Sequence, residues 1–150
     1  MAAYEKQAAV RHVCIACGVR TNAVGTAIYL RAGRGAVRPF ESTGCCGEEI
    51  AELQTVHEEG PASAATRQNW PVLVPDLTNS SIAARWPFFT PAAIATGVAA
   101  VFAFPLTMGA LSLGALEVHR DTDGSLTPGE IAEVVQLVGV AMTLLLDQSA

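Results

Sequence analysis

At 150 residues the chain is the size of one ordinary domain, long enough to bury roughly two-thirds of the surface its unfolded form exposes. Apolar residues make up 51% of it and charged ones only 15%, a balance that excludes long disordered segments. A net charge of −5 and a pI near 5.1 argue against a phosphate-binding surface, and so against a direct nucleic-acid partner.

The first segment, about Ala2 to Cys17, carries an apolar stripe at Val10, Val13, Cys14 and Cys17 with polar residues around the rest of the cylinder, which predicts a helix ended by Gly18. The start has no apolar run behind a basic end and no cleavage pattern, so a cytoplasmic location is expected. Ala23 to Arg31 and Ala36 to Phe40 read as two strands of a hairpin about a Gly33 to Gly35 turn. Arg20, Arg31, Arg34 and Arg38 lie close in sequence, and the Arg31-Ala-Gly-Arg34-Gly tip accounts for them as solvated charges.

From Glu41 to Glu59 the pattern weakens, with a short helical turn expected over Glu48 to Leu53. Gly60-Pro61 opens a short helix, because a proline's missing N–H is no loss at a first helical position. Trp70 before Pro71 stops it. Pro71 to Pro75 is then a short strand bracketed by prolines, which places it at a sheet edge.

Asp76 to Gly97 is a long connection holding Arg85-Trp86-Pro87-Phe88-Phe89 and a small-residue helical stretch from Pro91 to Thr96. A connection of this length reads as a lid over a pocket. No charge occurs between Trp86 and Leu116, a run longer than the roughly 20 residues of a membrane span. Prolines and glycines interrupt it, so it reads instead as two buried strands, about Ala99 to Leu106 and Leu111 to His119, and no membrane partner is expected.

The final helix, about Pro128 to Asp147, shows one complete stripe at Ile131, Val134, Val135, Val138, Ala141, Met142 and Leu145 and a second at Leu137, Val140 and Leu144. A helix apolar on two faces is buried on two sides, the sheet on one and a second subunit on the other.

Glu59-Gly60-Pro61, Pro71-Val-Leu-Val-Pro-Asp76, Arg85-Trp86-Pro87, Gly97-Val98, Phe102-Ala103-Phe104-Pro105-Leu106 and Leu113-Gly114-Ala115-Leu116-Glu117-Val118 together resemble the bacterial GAF family, and within it the branch often fused to an RNA-binding ANTAR domain. The resemblance runs over nearly the whole chain with no output domain within it, so a single sensory domain over residues 1–150 is expected, either a stand-alone member or a piece of a longer protein, with a separate output protein as one possible partner. It implies an α+β fold related to profilin and PAS domains: an antiparallel sheet of about five or six strands, N- and C-terminal helices on one face and a lid-covered pocket on the other. It also implies a small-molecule ligand, homodimerisation through the terminal helices and a role in signalling or transcription regulation without catalysis; the alternative is a ligand-free dimerisation module whose pocket is filled by its own side chains.

No cyclic-nucleotide signature, tetrapyrrole-attachment cysteine or lid histidine for haem is present, which leaves a mainly apolar pocket and an unidentified ligand. Trp86, Phe88 and Phe89 are its candidate lid residues, Trp70 and Asp76 flank the edge strand beside it, and Phe102 and Phe104 share one strand face. That face is either the cavity side or the helix side. Asp76 also serves simply as a turn residue.

Cys14-x-x-Cys17 and Cys45-Cys46 offer four thiols, yet the first pair falls on the core stripe and the second lacks the spacer that lets two thiolates share a metal. No metal is expected. The adjacent pair in its Gly-flanked loop is the place for thiol reactivity, as a redox sensor or a reductase of the kind one GAF branch provides. His119 to Glu130 imitates a calcium loop, but a strand precedes it and Thr127, Pro128 and Glu130 account for it as a capping box. No nucleophile–base pair is recognisable among His12, His57 and His119.

Overall fold

The computed structural model describes residues 2–33 and 36–147. It is a three-layer arrangement with a five-stranded sheet in the middle, in the order β2-β1-β5-β4-β3, every pairing antiparallel. The strands are β1 (Gly25–Ala32), β2 (Ala36–Gly44), β3 (Val72–Val74), β4 (Ala100–Met108) and β5 (Leu111–Arg120). The helices α1 (Ala3–Thr21) and α6 (Pro128–Leu145) back one face. The other is covered by α2 (Gly47–His57), α3 (Pro61–Gln68), α4 (Ser80–Arg85) and α5 (Phe89–Ala95). This is the helix-backed antiparallel sheet expected, and the uncharged run does fold into the central strands β4 and β5.

Strand alternation divides the core in two. Ile28, Phe102, Phe104, Leu106, Leu116 and Val118 pack beneath α1 and α6 with Val10, Cys14, Val134 and Ala141. Their neighbours Ala27, Tyr29, Val101, Ala103 and Ala115 face the covering helices. Prolines sit where the ladder tolerates a missing donor: Pro39 is on edge strand β2, and Pro105 is on β4 beyond the reach of short β3. The short strand after Pro71 is at the sheet edge, as its prolines require.

Several boundaries differ from the sequence expectation. Helix α1 runs through Gly18 to Thr21 and ends where Asn22 takes a left-handed φ of 54°. An interior glycine costs about 1 kcal/mol, less than the packing of this helix on the sheet and α6 returns. Strand β2 continues to Gly44, and α2 is a full helix to His57 rather than one turn. The Arg34 and Gly35 of the anticipated turn lie outside the described residues. Arg31 is no free surface charge: its guanidinium donates to the carbonyls of Ser112 and Thr66, joining β1 to β5 and α3. Arg20 pairs with Glu133 at 2.9 Å, tying α1 to α6.

The capping box is present, with Thr127 accepting from the Glu130 N–H and Glu130 accepting from the Thr127 N–H. The two stripes on α6 are redistributed. Val134, Leu137 and Ala141 form the buried line, while Val135 and Val140 are exposed; Leu137 therefore belongs to the core and Val135 does not. By length and composition α6 is long and apolar enough to cross a membrane, and its buried line packs on β4 and α1. Replacing Leu137 by Ala should lower stability by about 2–4 kcal/mol, whereas Val140→Ala should stay within about 0.5 kcal/mol. Urea denaturation of the two variants checks the assignment.

Candidate functional site

At the centre of the covered sheet face lies a polar cluster in an apolar layer. Glu117 and His119 are two apart on β5 and so point the same way, and both are fully buried. The cross-strand partners of Glu117 are Ala27 on β1 and Ala103 on β4; two small neighbours leave its side chain room to lie over the sheet. Tyr29 on β1, likewise fully buried, donates its hydroxyl to Glu117 Oε1 at 2.8 Å. Gln54 on α2 reaches down with its amide nitrogen, 2.7 Å from Glu117 Oε1, 2.8 Å from Oε2 and 3.0 Å from the Tyr29 hydroxyl. His119 Nε2 stands 2.7 Å from the same Oε1.

A buried carboxylate without partners would cost several kcal/mol, so these contacts are a condition of folding. The position of Gln54 is in turn built by the Glu59-Gly60-Pro61 word. Gly60 has φ +134°, and a Cβ there would meet Gln54 Oε1 at 2.5 Å. With no side chain at 60, Gln54 Oε1 accepts instead from the Ala62 N–H at 2.9 Å, inside the first turn of α3. Pro61 opens that helix.

The same word anchors the cover. Glu59 Oε1 accepts from the backbone N–H groups of Phe88 and Phe89 at 2.7 and 2.9 Å, where α5 begins. His57 stacks on Phe88 with ring centroids 5.7 Å apart. Beneath, Trp86 and Phe89 are buried and meet edge to face at 6.2 Å, with Leu77 and Ala93 filling the same layer. Among the described residues, the buried side-chain atoms without a hydrogen-bond partner include His119 Nδ1, Ser63 Oγ on α3 and Thr90 Oγ1 on α5. All three belong to this face or to its covering helices.

The residues singled out from sequence do not share one cavity. Trp86 and Phe89 lie in the cover core, whereas Phe88 is 64% exposed over His57. Phe102 and Phe104 face the opposite way, into the core beneath α1 and α6, because alternation along β4 gives the covered face Val101 and Ala103. Trp70 is 71% exposed and lines a groove of about 250 Å³ with Phe104, Pro105 and Val138, at the far edge from the polar cluster. Asp76 turns the chain: it accepts from the Thr78 hydroxyl and N–H, which hold its carboxyl below the usual range. A larger groove of about 520 Å³ runs between α2 and α5, past Leu53, Val56, His57 and Ala92.

Tyr29 and Gln54 are not singled out from sequence, Glu117 enters only within the resemblance motif, and His119 is weighed only as part of a calcium-loop mimic and as a histidine without a nucleophile. A signal existed in Leu116-Glu117-Val118-His119, where two polar residues alternate with two apolar ones inside a buried run and must share a face. The cysteines divide between the layers. Burial pushes the Cys14 and Cys17 thiols, beneath α1, up to about 12, while Cys45 and Cys46 lie at the β2–α2 junction on the other side.

No protein-family model and no curated protein matches the sequence. Solved structures do match its fold. The chain is similar to the GAF domain region of a protein from Geobacter sulfurreducens PCA, with TM-score 0.76 at 16% identity, covering 95% of this chain and 93% of that one. It is similar to the GAF-B domain of DevS from Mycobacterium smegmatis, with TM-score 0.64 at 16% identity, covering 93% and 91%. It is also similar to type II free methionine-R-sulfoxide reductase from Thermoplasma acidophilum, with TM-score 0.70 at 13% identity, covering 94% and 92%. The fold is that of GAF domains.

The cluster has a measurable pH consequence. Burial, together with the charge of Glu117 and the bond to it, raises the Tyr29 phenol well above its ordinary 10.0. The folded chain therefore holds this proton more tightly than the unfolded one. The stabilisation is full below pH 10 and falls as alkali draws the proton from the unfolded chain first. Tyr29→Phe should lower stability at neutral pH by about 1–3 kcal/mol and flatten the loss above the phenol range, as read by denaturation at a series of pH values.

Proposed function

We propose that residues 1–150 act as one sensory GAF domain that binds a small molecule on the covered face of the sheet, with the Glu117 cluster as the polar floor of the site. The observation that carries this is the cluster itself. A carboxyl, a phenol, an amide and an imidazole, all fully buried, are a costly way to build a layer that alanines and valines otherwise fill. The same groups suit the recognition of a polar head on an apolar body.

The ligand enters by displacement of α4 and α5, which are tied to the α2–α3 junction through the Glu59 carboxylate and the Phe88–His57 stack. Trp86 and Phe89 then line the ligand rather than each other. The hydrogen-bonding capacity left on His119 Nδ1, Ser63 Oγ and Thr90 Oγ1 is available to it. The donors crowded onto the Glu117 carboxylate support recognition rather than proton transfer, and the domain is a sensor without catalysis.

Exposed Tyr4, Ile15 and Val19 on α1, with Val135 and Val140 on α6, support homodimerisation through the terminal helices. In this reading the domain is cytoplasmic and belongs to the ANTAR-associated branch. Strain in the dimer's helices is passed to an output protein of transcription regulation.

Native mass spectrometry of protein purified under reducing conditions should show a retained small molecule on a dimer, with the ligand weakened at least tenfold in Tyr29→Phe. A metabolite panel that neither shifts the melting temperature nor adds mass to the wild type would refute the site. Monomeric sedimentation at micromolar concentration would refute the dimer, and turnover of free methionine sulfoxide would refute the absence of catalysis.

A further inference from the structure

Cys45 and Cys46 occupy a built position rather than a slack loop. Gly44, at φ +86°, brings the chain against β1 so closely that a Cβ would collide with the Val24 carbonyl. That same carbonyl accepts from the Cys45 N–H at 3.0 Å. Cys46 is the N-cap of α2, and its carbonyl accepts the first helical bond, from Ile50 at 2.9 Å. The two sulfurs are 3.3 Å apart. Cys45 is exposed, whereas Cys46 is buried with its Sγ 3.7 Å from the carbonyl of Thr96, the C-cap of α5. The pair thus joins the start of α2, the helix that carries Gln54, to the end of the cover.

We propose that Cys45 and Cys46 form a two-electron redox site, oxidised by a hydroperoxide to a vicinal disulfide, which loosens the α2–α5 joint. The solvent-facing Cys45 thiolate attacks the outer oxygen of the hydroperoxide. The O–O bond breaks, the alcohol (or water, from hydrogen peroxide) leaves, and Cys45 becomes a sulfenic acid. The Cys46 sulfur then attacks the Cys45 sulfur: the S–S bond forms, the S–O bond breaks, and hydroxide leaves as water with the Cys46 proton. Two thiols and one hydroperoxide give one disulfide, one alcohol and one water.

The sulfurs have to approach by roughly 1.3 Å to reach a bond length near 2.04 Å. Adjacent Cα atoms are only about 3.8 Å apart, short of the usual span of a disulfide. Such a ring is strained and readily reduced, which suits a reversible switch and not a staple. The order follows from access: exposed Cys45 meets the hydroperoxide, and buried Cys46, whose thiol burial and then the neighbouring Cys45 thiol raise to about 11, stays reduced until the adjacent sulfur is oxidised and then resolves it. Closing the ring turns the Cys46 sulfur away from the Thr96 carbonyl and twists the peptide that caps α2. This step goes beyond ligand binding and does not depend on it.

The test uses the whole chain with one equivalent of hydrogen peroxide, followed by alkylation in denaturant and intact-mass and peptide analysis. The expected product has lost two hydrogens, is alkylated only at Cys14 and Cys17, and regains two alkylation sites after dithiothreitol. Amide exchange at Ile50 and along the first turn of α2 should speed up at least threefold in the oxidised form. Cys46→Ser should stop at a dimedone-trappable sulfenic acid on Cys45, and Cys45→Ser should take no oxidation at residue 46. Four alkylated cysteines after peroxide, or a disulfide only between chains, would overturn the proposal. So would a disulfide that leaves α2 exchange unchanged.

Discussion

A carboxyl group in the middle of an apolar layer sets terms for everything around it. Glu117 is fully buried, and its oxygens take up the Tyr29 hydroxyl and the Gln54 amide. To deliver those donors the chain must hold β1 beside β5 in one register, with Tyr29 opposite Ala115 and Ala27 opposite Glu117. It must also place α2 so that Gln54 points down at the sheet. A slip of one residue would turn the carboxylate toward the terminal helices, where Leu116 and Val118 pack now. The cluster therefore specifies register and helix placement as well as any chemistry it performs, a role that well-satisfied buried polar groups can take.

The path from α2 to the rest of the domain is short. Gln54 is bonded to the sheet on one side and to the first turn of α3 on the other, and Glu59 follows at the junction with its carboxylate on α5. One helix and the few residues after it thus touch the polar floor, the cover and the thiol pair. A displacement of α2 acts on all three. On the opposite face α1 and α6 pack against each other and are further joined by the surface pair Arg20–Glu133 and by Lys6 on the Asp147 carbonyl.

The fold was legible in the sequence because its cues are local. Periodicity marked both long helices, the prolines marked the edge strand, and Thr127 with Glu130 marked the cap. The ends of α1 and α2 were not legible, since tertiary packing outweighs an interior glycine and extends a helix beyond its own propensity. The polar cluster was hidden for another reason: Tyr29, Gln54 and Glu117 are far apart in the chain, and only the pairing of β1 with β5 and the packing of α2 on the sheet bring them together. The aromatic residues were conspicuous by type, yet type says nothing of face. Phe102 and Phe104 went to the helix side and Trp86 and Phe89 to the cover, because parity along the strand and helix contact decide that.

Glu59 grips the cover through two main-chain N–H groups and through no side chain of residues 88 or 89. A clasp of that kind is indifferent to which amino acids follow it. The inward-facing positions of the segment can be exchanged while these two bonds hold the cover at the same place. Under the proposed sensing role, a change of ligand therefore requires changes in what the cover presents, and none in how it is held.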